Sequence, residues 1–500
     1  MNLIHRWYCR SDGWRQAVHH GMLPWVLGDT DLGENVLEIG PGPGVTTDWL
    51  RGRVPRLTCI EIDPQLAASL KARLHGTNVT VLPMDRDRVL RDQTVLVRGQ
   101  RIVAVGPAAQ VTVPAGATRI DGRNRYLMPG LAEMHAHIPP QAQAPDAEIE
   151  KVLAYFALNG VTFVRGMLGA PRHLPFRERA NRGEILSPTI LTTGPSLNGT
   201  SLPDVATAIR TVAEQKNAGY DLMKIHPGIG RVVYDSMAAT ARRLNIRFAG
   251  HIPLDVGLAP ALRAGQWTID HVDGYLEAMV KDGSPVAGTQ SQFFAFNLVD
   301  YLDESKLPAL VAATRAAGAA IVPTQSLFES VAGTLSTEAL MAWPEMRYWP
   351  AATVAQWKQA TDNNRRSLGL TAESSARYLA VRRRVMQALY RAGVPFLLGS
   401  DAPQWWNVPG FSVQRELNAM VAAGFTPFQS LEMGSRNVAE HLGQLEEFGT
   451  VAVGRRADLV LLEANPLDDV GNWSRRAGVM VRGKWYDKAK IARRLDDLRR

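Results

Sequence analysis

The sequence Tyr126-Leu-Met-Pro-Gly-Leu-Ala-Glu-Met-His-Ala-His-Ile-Pro139 decides the fold of this chain. It is a short apolar run, broken by Pro129-Gly130, that ends in the pair His135-x-His137. Residues two apart on a β-strand share a face, so this run predicts a buried strand that delivers two imidazoles to one side. Two neutral imidazoles aimed into one cavity form half of a metal site. We therefore expect further ligands at the ends of later strands.

Four later apolar runs each end in a side chain that can complete such a site. Lys224 lies near the end of Asp-Leu-Met-Lys-Ile-His, and Asp401 ends Phe-Leu-Leu-Gly-Ser-Asp. His251 follows Phe-Ala-Gly, and His271 follows Thr-Ile-Asp. A single histidine at a strand end is usually structural, but six such side chains in the order HxH, Lys, His, His, Asp predict a metal site.

Strand-like and helix-like runs alternate through the middle of the chain. Eight strands, most of them followed by an amphipathic segment, predict an α/β fold with a TIM-like (β/α)8 barrel over residues 126–447. Such a barrel carries its working residues at the C-terminal ends of its strands, where the six candidates fall. A helical insertion at about 328–385 is expected to form a lid over the site. The candidate strands are 126–137, 161–167, 189–197, 221–226, 247–252, 268–272, 320–325 and 396–402.

Two β-rich pieces flank this region. Residues 77–125 alternate apolar and polar residues between tight turns, beginning with a strand at Asn78, and residues 448–487 do the same. We expect the two pieces to pair in space as one small β-sandwich. The remaining residues, 488–500, form a basic tail that we interpret as a solvated terminal helix.

Residues 1–76 predict a unit of their own. A strand at 35–39 runs into Gly40-Pro-Gly42-Pro-Gly44, a helix-like segment follows, and a second strand at 57–63 carries Glu61. Glycines at such a turn let the backbone approach a cofactor, and an acid after the second strand can hold ribose hydroxyls. The pattern resembles the first half of a Rossmann-like, class I S-adenosylmethionine-dependent methyltransferase. Glu38, Gly40, Gly42 and Gly44 match its first motif, and Glu61 matches its ribose-binding acid.

The later strands and the substrate-side motif of a methyltransferase do not follow. A half sheet leaves one face and one edge uncovered, so we interpret residues 1–76 as a partial unit and do not expect S-adenosylmethionine as a cofactor. Two alternatives stay open. The unit completes a cofactor site with surface from the barrel or a partner, which gives a bifunctional methyltransferase, or the chain is an inactive fusion.

The order of the six side chains resembles the amidohydrolase superfamily, in its two-metal branch with a carboxylated lysine. The resemblance covers roughly residues 78–487 and includes the motifs at 128–130, 399–401, 409–412 and 457–466. It implies two divalent ions, with Lys224 carbamylated by carbon dioxide and bridging them; a plain lysine beside a single ion is the alternative. The implied ligands are His135, His137 and Asp401 for the more buried ion and His251 and His271 for the more exposed one.

The resemblance also implies the chemistry. Metal-bridging hydroxide would attack the scissile carbonyl, and Asp401 would take its proton and pass it to the leaving amine. Nitrogen and carboxylate donors suit zinc, although manganese, cobalt or iron would also fit. The expected activity is hydrolysis of a C–N bond in a small amide or dipeptide, because the chain looks most like the Xaa-Pro dipeptidase and N-acyl amino acid hydrolase group, with imidazolonepropionase-like enzymes more distant.

Candidate substrate contacts follow from position. Arg165, ending the second strand, and Tyr234, soon after the fourth, are candidates to bind a substrate carboxylate, and a structural ion pair is the alternative for Arg165. His226 shares a face with Lys224 and is a candidate polar contact. Trp405-Trp406, just past Asp401, either wall an apolar pocket or pack within a loop.

Composition limits the remaining classes. A net charge of +8 spread over 500 residues predicts neither a nucleic-acid partner nor a membrane partner. Two cysteines, Cys9 and Cys59, form no CxxC pair, so neither a disulfide framework nor a thiolate zinc site is expected. No secretion signal and no stretch of about 18 apolar residues occurs, so we expect a cytoplasmic protein. Assembly as a homo-oligomer is compatible with the sequence.

Overall fold

The computed structural model describes residues 11–28, 30, 32–33, 35–39, 41, 44–50, 56–60, 63–67, 79–286 and 291–499. The chain divides into two compact units, Met1–Val79 and Thr80–Arg500.

The first unit contains two parallel strands, β1 (Asn35–Ile39) and β2 (Arg56–Ile60), which pair along their whole length. Three of their apolar side chains, Leu37, Ile39 and Ile60, are 56%, 75% and 49% exposed. This pair of strands therefore leaves apolar surface uncovered. The helices described in this unit are α1 (Asp12–Ala17), α2 (Leu23–Leu27) and α3 (Val45–Leu50), with a π-helical turn at Val18–Met22 between α1 and α2.

A seven-stranded sheet in the second unit draws on both ends of the predicted hydrolase region. The strand after Asn78 belongs to it, as predicted, because Thr80 pairs in parallel with Tyr126. The order of the sheet is β16-β15-β14-β6-β3-β4-β5. Its strands are β3 (Val79–Val81), β4 (Leu90–Arg98), β5 (Arg101–Pro107), β6 (Tyr126–Pro129), β14 (Leu459–Leu462), β15 (Arg476–Val481) and β16 (Lys484–Asp487).

The stretch predicted as one strand, 126–137, is two strands in two sheets. Residues Tyr126–Pro129 pair with β14, whereas β7 (Leu131–Ala136) pairs in parallel with β8 (Val161–Gly166). The chain changes sheets at Gly130, where a Cβ atom would lie 2.3 Å from the side chain of Thr162. Glycine is required there because no other residue allows this close approach.

The parallel strands that carry the candidate ligands form two sheets. One has the order β7-β8-β9, and the other has the order β10-β11-β12-β13. Isolated parallel bridges join Thr193 to Leu222, Ile321 to Phe396, and Ala402 back to Ala136. The remaining strands are β9 (Thr189–Thr192), β10 (Leu222–Ile225), β11 (Arg247–Gly250), β12 (Thr268–Asp270) and β13 (Ala320–Val322).

Helices connect the parallel strands, and their ends follow from local sequence. Helix α6 (Val205–Ala218) starts after Asp204, whose carboxylate accepts the Thr207 N–H at 2.7 Å, and it ends at Gly219 with a φ of +85°. Six more helices lie between the parallel strands up to β13, and the hydrophobic core is continuous across them. These helices are α4 (Asp146–Leu158), α5 (His173–Asn181), α7 (Arg231–Arg243), α8 (Leu258–Ala264), α9 (Tyr275–Ala278) and α10 (Leu307–Ala317), with 3-10 turns at Phe296–Tyr301 and Glu304–Lys306.

The segment predicted as a helical insertion is helical. Residues 325–391 hold four α-helices and a 3-10 turn at Pro344–Tyr348. The C-terminal tail also forms a helix, and it is packed rather than fully solvated, because Ile491 and Leu495 are buried. The helices from here to the end are α11 (Gln325–Val331), α12 (Thr337–Met341), α13 (Ala351–Ser367), α14 (Ala372–Arg391), α15 (Ser412–Ala422), α16 (Pro427–Met433), α17 (Arg436–Leu442) and α18 (Lys488–Arg499), with a 3-10 turn at Val470–Ser474.

Among the helices of the described residues, none is both long enough and apolar enough to cross a lipid bilayer.

Candidate metal centre

Three side chains from the two ends of the parallel-strand region meet at one point. His135 lies one residue before the end of β7 and His137 directly after that end, and Asp401 directly precedes Ala402, which bridges to Ala136. Their ligand atoms all lie within 4.8 Å of one another. The Asp401 Oδ1 atom is 2.6 Å from His137 Nε2 and 3.4 Å from His135 Nε2. Two imidazoles and a carboxylate in this arrangement can hold a divalent metal ion.

Lys224 reaches the same point from β10. Its side chain is fully buried, and its Nζ atom lies 3.0 Å from His135 Nε2. Burial lowers the pKa of Lys224 from 10.5 to about 8. The lysine therefore sits among ligand-type side chains at the centre of the site, where an ordinary surface lysine would not be found.

Two further imidazoles extend the cluster along the next strands. His251 follows β11 and His271 follows β12, and their ring centroids are 4.6 Å apart. The ring of His271 lies 4.5 Å from that of His135, so the rings form a continuous row. Burial lowers the pKa of each of these three histidines, that of His251 to about 3. The imidazoles are therefore neutral, which is the form that binds metals.

Second partners fix the orientation of these rings. The Nδ1 atom of His251 lies 3.1 Å from Asp273 Oδ2, and Nδ1 of His271 lies 2.8 Å from Thr324 Oγ1. Nδ1 of His135 lies 2.8 Å from Asp270 Oδ2. A partner at Nδ1 leaves Nε2 with the lone pair that a metal needs. Nε2 of His135 faces the cluster, 3.0 Å from Lys224 Nζ, and the partners at Nδ1 of His251 and His271 favour the same orientation.

Two residues of the site have backbone conformations that residues with a side chain usually avoid. Asp401 has a φ of +67° and His271 a φ of +65°, both in the left-handed region. Asp401 is held there because its N–H donates to the His135 carbonyl at 2.9 Å. At Gly399 a Cβ atom would lie 2.9 Å from the His135 backbone nitrogen, and at Gly250 it would lie 2.9 Å from Lys224 Cδ. These glycines let the strands approach closely enough to bring the ligands together.

Arg165 is a structural residue, and its predicted role in substrate binding is corrected. Its guanidinium is fully buried and donates to the carbonyl of Met134, to Thr268 Oγ1 and to both Asp270 oxygens, at 2.6–3.3 Å. The ion-pair alternative is therefore the one that the structure describes. Because the guanidinium is fully buried and bonds to β7 and β12, it is not accessible to a carboxylate ligand in this structure.

Tyr234 is also turned away from the site. Its side chain is fully buried on α7, and its hydroxyl donates to Gln266 Oε1 at 2.7 Å. Sequence position alone does not separate two arrangements. A residue soon after a strand can lie on the side of its helix that packs against the sheet, or it can face the ends of the strands. The predicted contact between Tyr234 and a substrate carboxylate is therefore not available.

His226 and the tryptophans lie near the imidazole row. The ring of His226 stacks at 5.1 Å on that of His251, and its Nδ1 contacts the Ser196 hydroxyl. Trp406 is fully buried and donates to Thr361 Oγ1, so it packs within the fold. Trp405 is half-buried and stacks on Phe293, with ring centroids 6.1 Å apart.

Phe294 is a residue that the sequence did not single out. Its ring lies 5.9 Å from that of His251 and 5.4 Å from that of His271. Together with Phe293 and Trp405 it forms an aromatic wall over the row of imidazoles. No periodic signal marks it, because it lies in the irregular segment between α9 and the 3-10 turn at 296–301.

Asp270 and Asp273 were also missed, although both lie beside a predicted ligand. In Thr268-Ile-Asp270-His271, alternation places Thr268 and Asp270 on one face of a strand, and Thr268 Oγ1 donates to Asp270 at 2.6 Å. The sequence signal that could have revealed Asp270 is an acidic residue on the inward face of a strand, directly before a predicted ligand histidine.

The candidate cofactor residues of the first unit are partly described. The Glu38 carboxylate accepts the Thr47 hydroxyl at 2.6 Å. The Cys59 thiol also lies 3.5 Å from it. Gly44 lies just before helix α3 and has a φ of +77°. Gly40, Gly42 and Glu61 lie outside the described residues.

Comparison with known proteins identifies two different parts of the chain. A family model described as "Amidohydrolase family" matches residues 126–486, and one described as "Ribosomal RNA adenine dimethylase" matches residues 29–94. An adenine deaminase from Rubrobacter xylanophilus is 39% identical over 129 residues, which are 24% of this chain and 21% of that protein. The chain thus matches about a fifth of that curated relative's length.

Solved structures share the fold of the larger unit. Bottromycin amidohydrolase superposes with a TM-score of 0.62 at 21% identity, over 88% of this chain and 94% of that one. A Xaa-Pro dipeptidase with bound methionine superposes with a TM-score of 0.57 at 18% identity, over 82% of this chain and 98% of that one. At these identities the likeness concerns the fold.

Proposed function

Because this chain belongs to the amidohydrolase family, we propose that it is a metal-dependent hydrolase that cleaves a C–N bond in a small amide or dipeptide-like substrate. The observation that carries the proposal is the convergence of His135, His137 and Asp401, with Lys224 Nζ 3.0 Å from His135 Nε2. No nucleic acid takes part in this reaction, and the substrate is a small molecule.

The proposal includes a closed (β/α)8 barrel around the site. Support comes from the parallel bridges that link the two sheets and lead from Ala402 back to Ala136. In such a barrel the ends of the strands meet at one mouth. That arrangement accounts for ligands drawn from β7, β10, β11, β12 and the segment at 396–402.

The donor set fits two divalent ions, with zinc first on ligand type. His135, His137 and Asp401 would hold one ion, and His251 and His271 the other. Bound ions would supply an acidified water and a polarised carbonyl. The neutral state of the imidazoles and the tightness of the cluster support this assignment, since charged histidines could not be packed this closely.

Lys224 would carry a carbamate between the two ions. Carbamylation needs the neutral amine, whose nitrogen bonds to the carbon of carbon dioxide while a proton leaves. With a pKa of about 8, about one Lys224 in ten is neutral at pH 7, against about one in three thousand for a lysine with a pKa of 10.5. The product exchanges a cation for an anion with two oxygens, which suits a position between two dications.

Asp401 would carry the proton of the reaction. Its carboxylate accepts a proton from the attacking water as the new C–O bond forms, and it delivers that proton to the leaving nitrogen as the C–N bond breaks. The position of Oδ1, within 3.4 Å of both histidine Nε2 atoms, keeps this carboxylate at the reacting centre.

The aromatic wall favours a substrate with an apolar group beside the scissile bond. Phe294 and the stacked pair of Phe293 and Trp405 offer ring faces next to the imidazole row. Burying an apolar side chain against such a wall contributes roughly 1.5–3 kcal/mol. N-acyl or dipeptide substrates with an apolar residue are therefore preferred over glycine analogues.

The first unit is proposed to take no part in methyl transfer. Its described strands leave apolar side chains exposed, and Glu38 is already engaged by Thr47. Calorimetric titration of the whole protein with S-adenosylmethionine tests this point. Saturable binding at micromolar affinity would restore the methyltransferase alternative.

The hydrolase proposal is tested by a panel of dipeptides, N-acyl amino acids and adenine, offered to the zinc-loaded protein. We expect amine release from amide substrates, and loss of it after chelation. Adenine is included to test for hydrolytic deamination, because one matched relative is an adenine deaminase. Failure of every substrate in a protein that melts cooperatively and binds two metals per chain would refute the proposed reaction class.

A further inference from the structure

A cavity of about 240 Å³ lies away from the row of imidazoles. It is lined by the loop that precedes β9, by the β15–β16 turn and by Arg494 of α18. The candidate ligands follow the C-terminal ends of the parallel strands, whereas this loop enters β9 at its N-terminal end. The cavity therefore belongs to the opposite end of the strands, and none of the candidate ligands lines it.

The lining of this cavity carries an excess of positive charge. Its four cations are Arg182, Arg482, Lys484 and Arg494, and its one acid is Glu184. Glu184 is already paired with Arg182 at 2.5 Å. In the described part of the chain no carboxylate oxygen lies within 4.0 Å of the other three cationic groups. The nearby Asp458 pairs with Arg456, and its other oxygen accepts the Arg482 backbone N–H at 2.7 Å, so its one negative charge is shared between two arginines.

Arg482 is the unusual member, because it is 6% exposed and, among the described residues, no carboxylate oxygen lies within 4.0 Å of its guanidinium. Its guanidinium donates to the Ser187 carbonyl at 2.7 Å and to Thr189 Oγ1 at 3.2 Å, which leaves Nε uncommitted. A Cβ atom placed on Gly183 would lie 3.8 Å from Arg482 Nε and 4.0 Å from Lys484 Nζ. Lys484 Nζ donates to the Gly183 carbonyl at 2.9 Å, so two cationic groups lie side by side at this glycine. Burying a guanidinium with no carboxylate in direct contact is costly.

The backbone at Arg482 adds a second cost. Arg482 and Gly483 form the two-residue turn between β15 and β16, with φ values of +46° and +76°. Such a turn favours Asn-Gly, and an arginine in the left-handed region costs roughly 1–2 kcal/mol. Gly483 is required sterically, because a Cβ there would lie 1.9 Å from the Gly99 carbonyl oxygen. No such steric requirement holds at position 482, where the guanidinium bonds the turn to Ser187 and Thr189.

We propose that this cavity binds a phosphate group, either as free phosphate or as the end of a small phosphomonoester. A dianion would supply the direct counter-charge that the Arg482 guanidinium and the Lys484 ammonium do not receive from any carboxylate within 4.0 Å among the described residues, and the planar guanidinium matches two phosphate oxygens. The volume suits a small ligand, since pockets for drug-sized molecules start at about 300 Å³. Gln100 and Tyr486 line the same cavity with neutral polar groups.

The test is calorimetry and thermal melting of the whole protein with inorganic phosphate, against chloride at equal ionic strength. We expect one saturable phosphate site per chain and a rise in Tm that chloride does not give. Glycerol 3-phosphate and glycerol form a second pair of probes. Tighter binding of the ester than of free phosphate assigns the site to phosphomonoesters, and the reverse assigns it to free phosphate.

Arg482→Asn is the decisive variant, because asparagine suits the turn. It removes the guanidinium together with its hydrogen bonds to Ser187 and Thr189, so the comparison is made on the response to phosphate and not on the Tm of the free protein. We expect the variant to melt cooperatively and its phosphate affinity to fall roughly tenfold or more. Lys484→Gln is also expected to lower the phosphate affinity. Because Lys484 is exposed and lies outside the two-residue turn, this variant leaves the turn unchanged. Arg263→Gln, on the surface of α8, is the matched control and keeps full binding. An equal phosphate response in Arg482→Asn and the parent, or none in the parent at 100-fold excess over protein, would overturn the proposal.

Discussion

The Nδ1 atom of His135 lies 2.8 Å from Oδ2 of Asp270, and both side chains are buried. The same carboxylate accepts Arg165 and Thr268. One aspartate therefore orients a candidate metal ligand and neutralises a buried guanidinium. This double role links the stability of the fold to the metal affinity of the site.

Asp270→Asn is expected to weaken both properties. Loss of the partner at Nδ1 should lower metal affinity about 10–100-fold, and the unpaired Arg165 should lower the free energy of unfolding by about 3–5 kcal/mol. Chelator competition and urea unfolding measure the two effects. Asp235→Asn, in an exposed pair with Arg231, is the control. If Arg165→Met changed KM for carboxylate substrates without changing stability, the structural role of Arg165 would be wrong.

Asp401→Asn is expected to lower kcat by about 10²–10⁴-fold, because the amide cannot take up the proton of the attacking water. The measurement is the initial rate with the best substrate of the panel, at saturating zinc. Metal content is measured in parallel, since Asp401 is also a candidate ligand. An unchanged kcat in a fully metal-loaded variant would remove Asp401 from the reaction.

Lys224→Ala is expected to reduce the bound metal from two ions per chain to one. The variant lacks the bridging group, while the group formed by His135, His137 and Asp401 is intact. Elemental analysis after dialysis gives the stoichiometry. Added propionate should restore part of the second site, because a carboxylate can occupy the space of the missing carbamate. Lys216→Ala, whose amine contacts only the Asn245 carbonyl among described residues, should bind metal as the parent does.

Phe294→Ala is expected to lower kcat/KM roughly tenfold for N-acyl phenylalanine and to leave N-acyl glycine nearly unchanged. The ring that packs beside His251 and His271 contributes apolar contact, which only the larger substrate can use. The ratio of the two rates isolates this effect from any loss of folded protein. Equal losses of kcat/KM for both substrates would mean that the Phe294 ring supports the arrangement of the site and does not contact the substrate.

Glu416 is expected to make stability depend on pH. Its two oxygens accept the N–H groups of Gln325 and Ser326 at 2.8 and 2.7 Å, and burial raises its pKa from 4.5 to about 7. The native state then holds the proton in a range where the unfolded state has lost it. The contribution of Glu416 to the free energy of unfolding therefore falls as pH rises from 4.5 to 7, by about 3 kcal/mol in total.

Glu416→Gln tests this linkage, because glutamine does not titrate. Loss of one of the two hydrogen bonds should shift its stability by a constant amount at every pH. The free energy of unfolding of the parent minus that of the variant should therefore decline across pH 4.5–7, as measured by urea unfolding at several pH values. Parallel curves across that window would contradict the raised pKa.

Much of the metal centre could be predicted from the sequence because its ligands end apolar runs. A strand exposes alternate residues to one side, so His135 and His137 were recognisable as a pair before any fold was known. The predictions of substrate contacts failed because they rested only on the position of two residues near the ends of strands. Arg165 and Tyr234 both follow the pattern of site residues, yet Asp270 and Gln266 engage them inside the fold.

The sequence by itself determined which residue types close each buried strand. That follows from the two-residue period of a strand, which acts over a few residues. Only the tertiary structure decided why glycine is needed at Gly130 and Gly399, which carboxylate meets which imidazole, that Phe294 covers the row, and that Arg482 is buried with no carboxylate in direct contact. Those contacts join segments tens to hundreds of residues apart, and no local pattern specifies them.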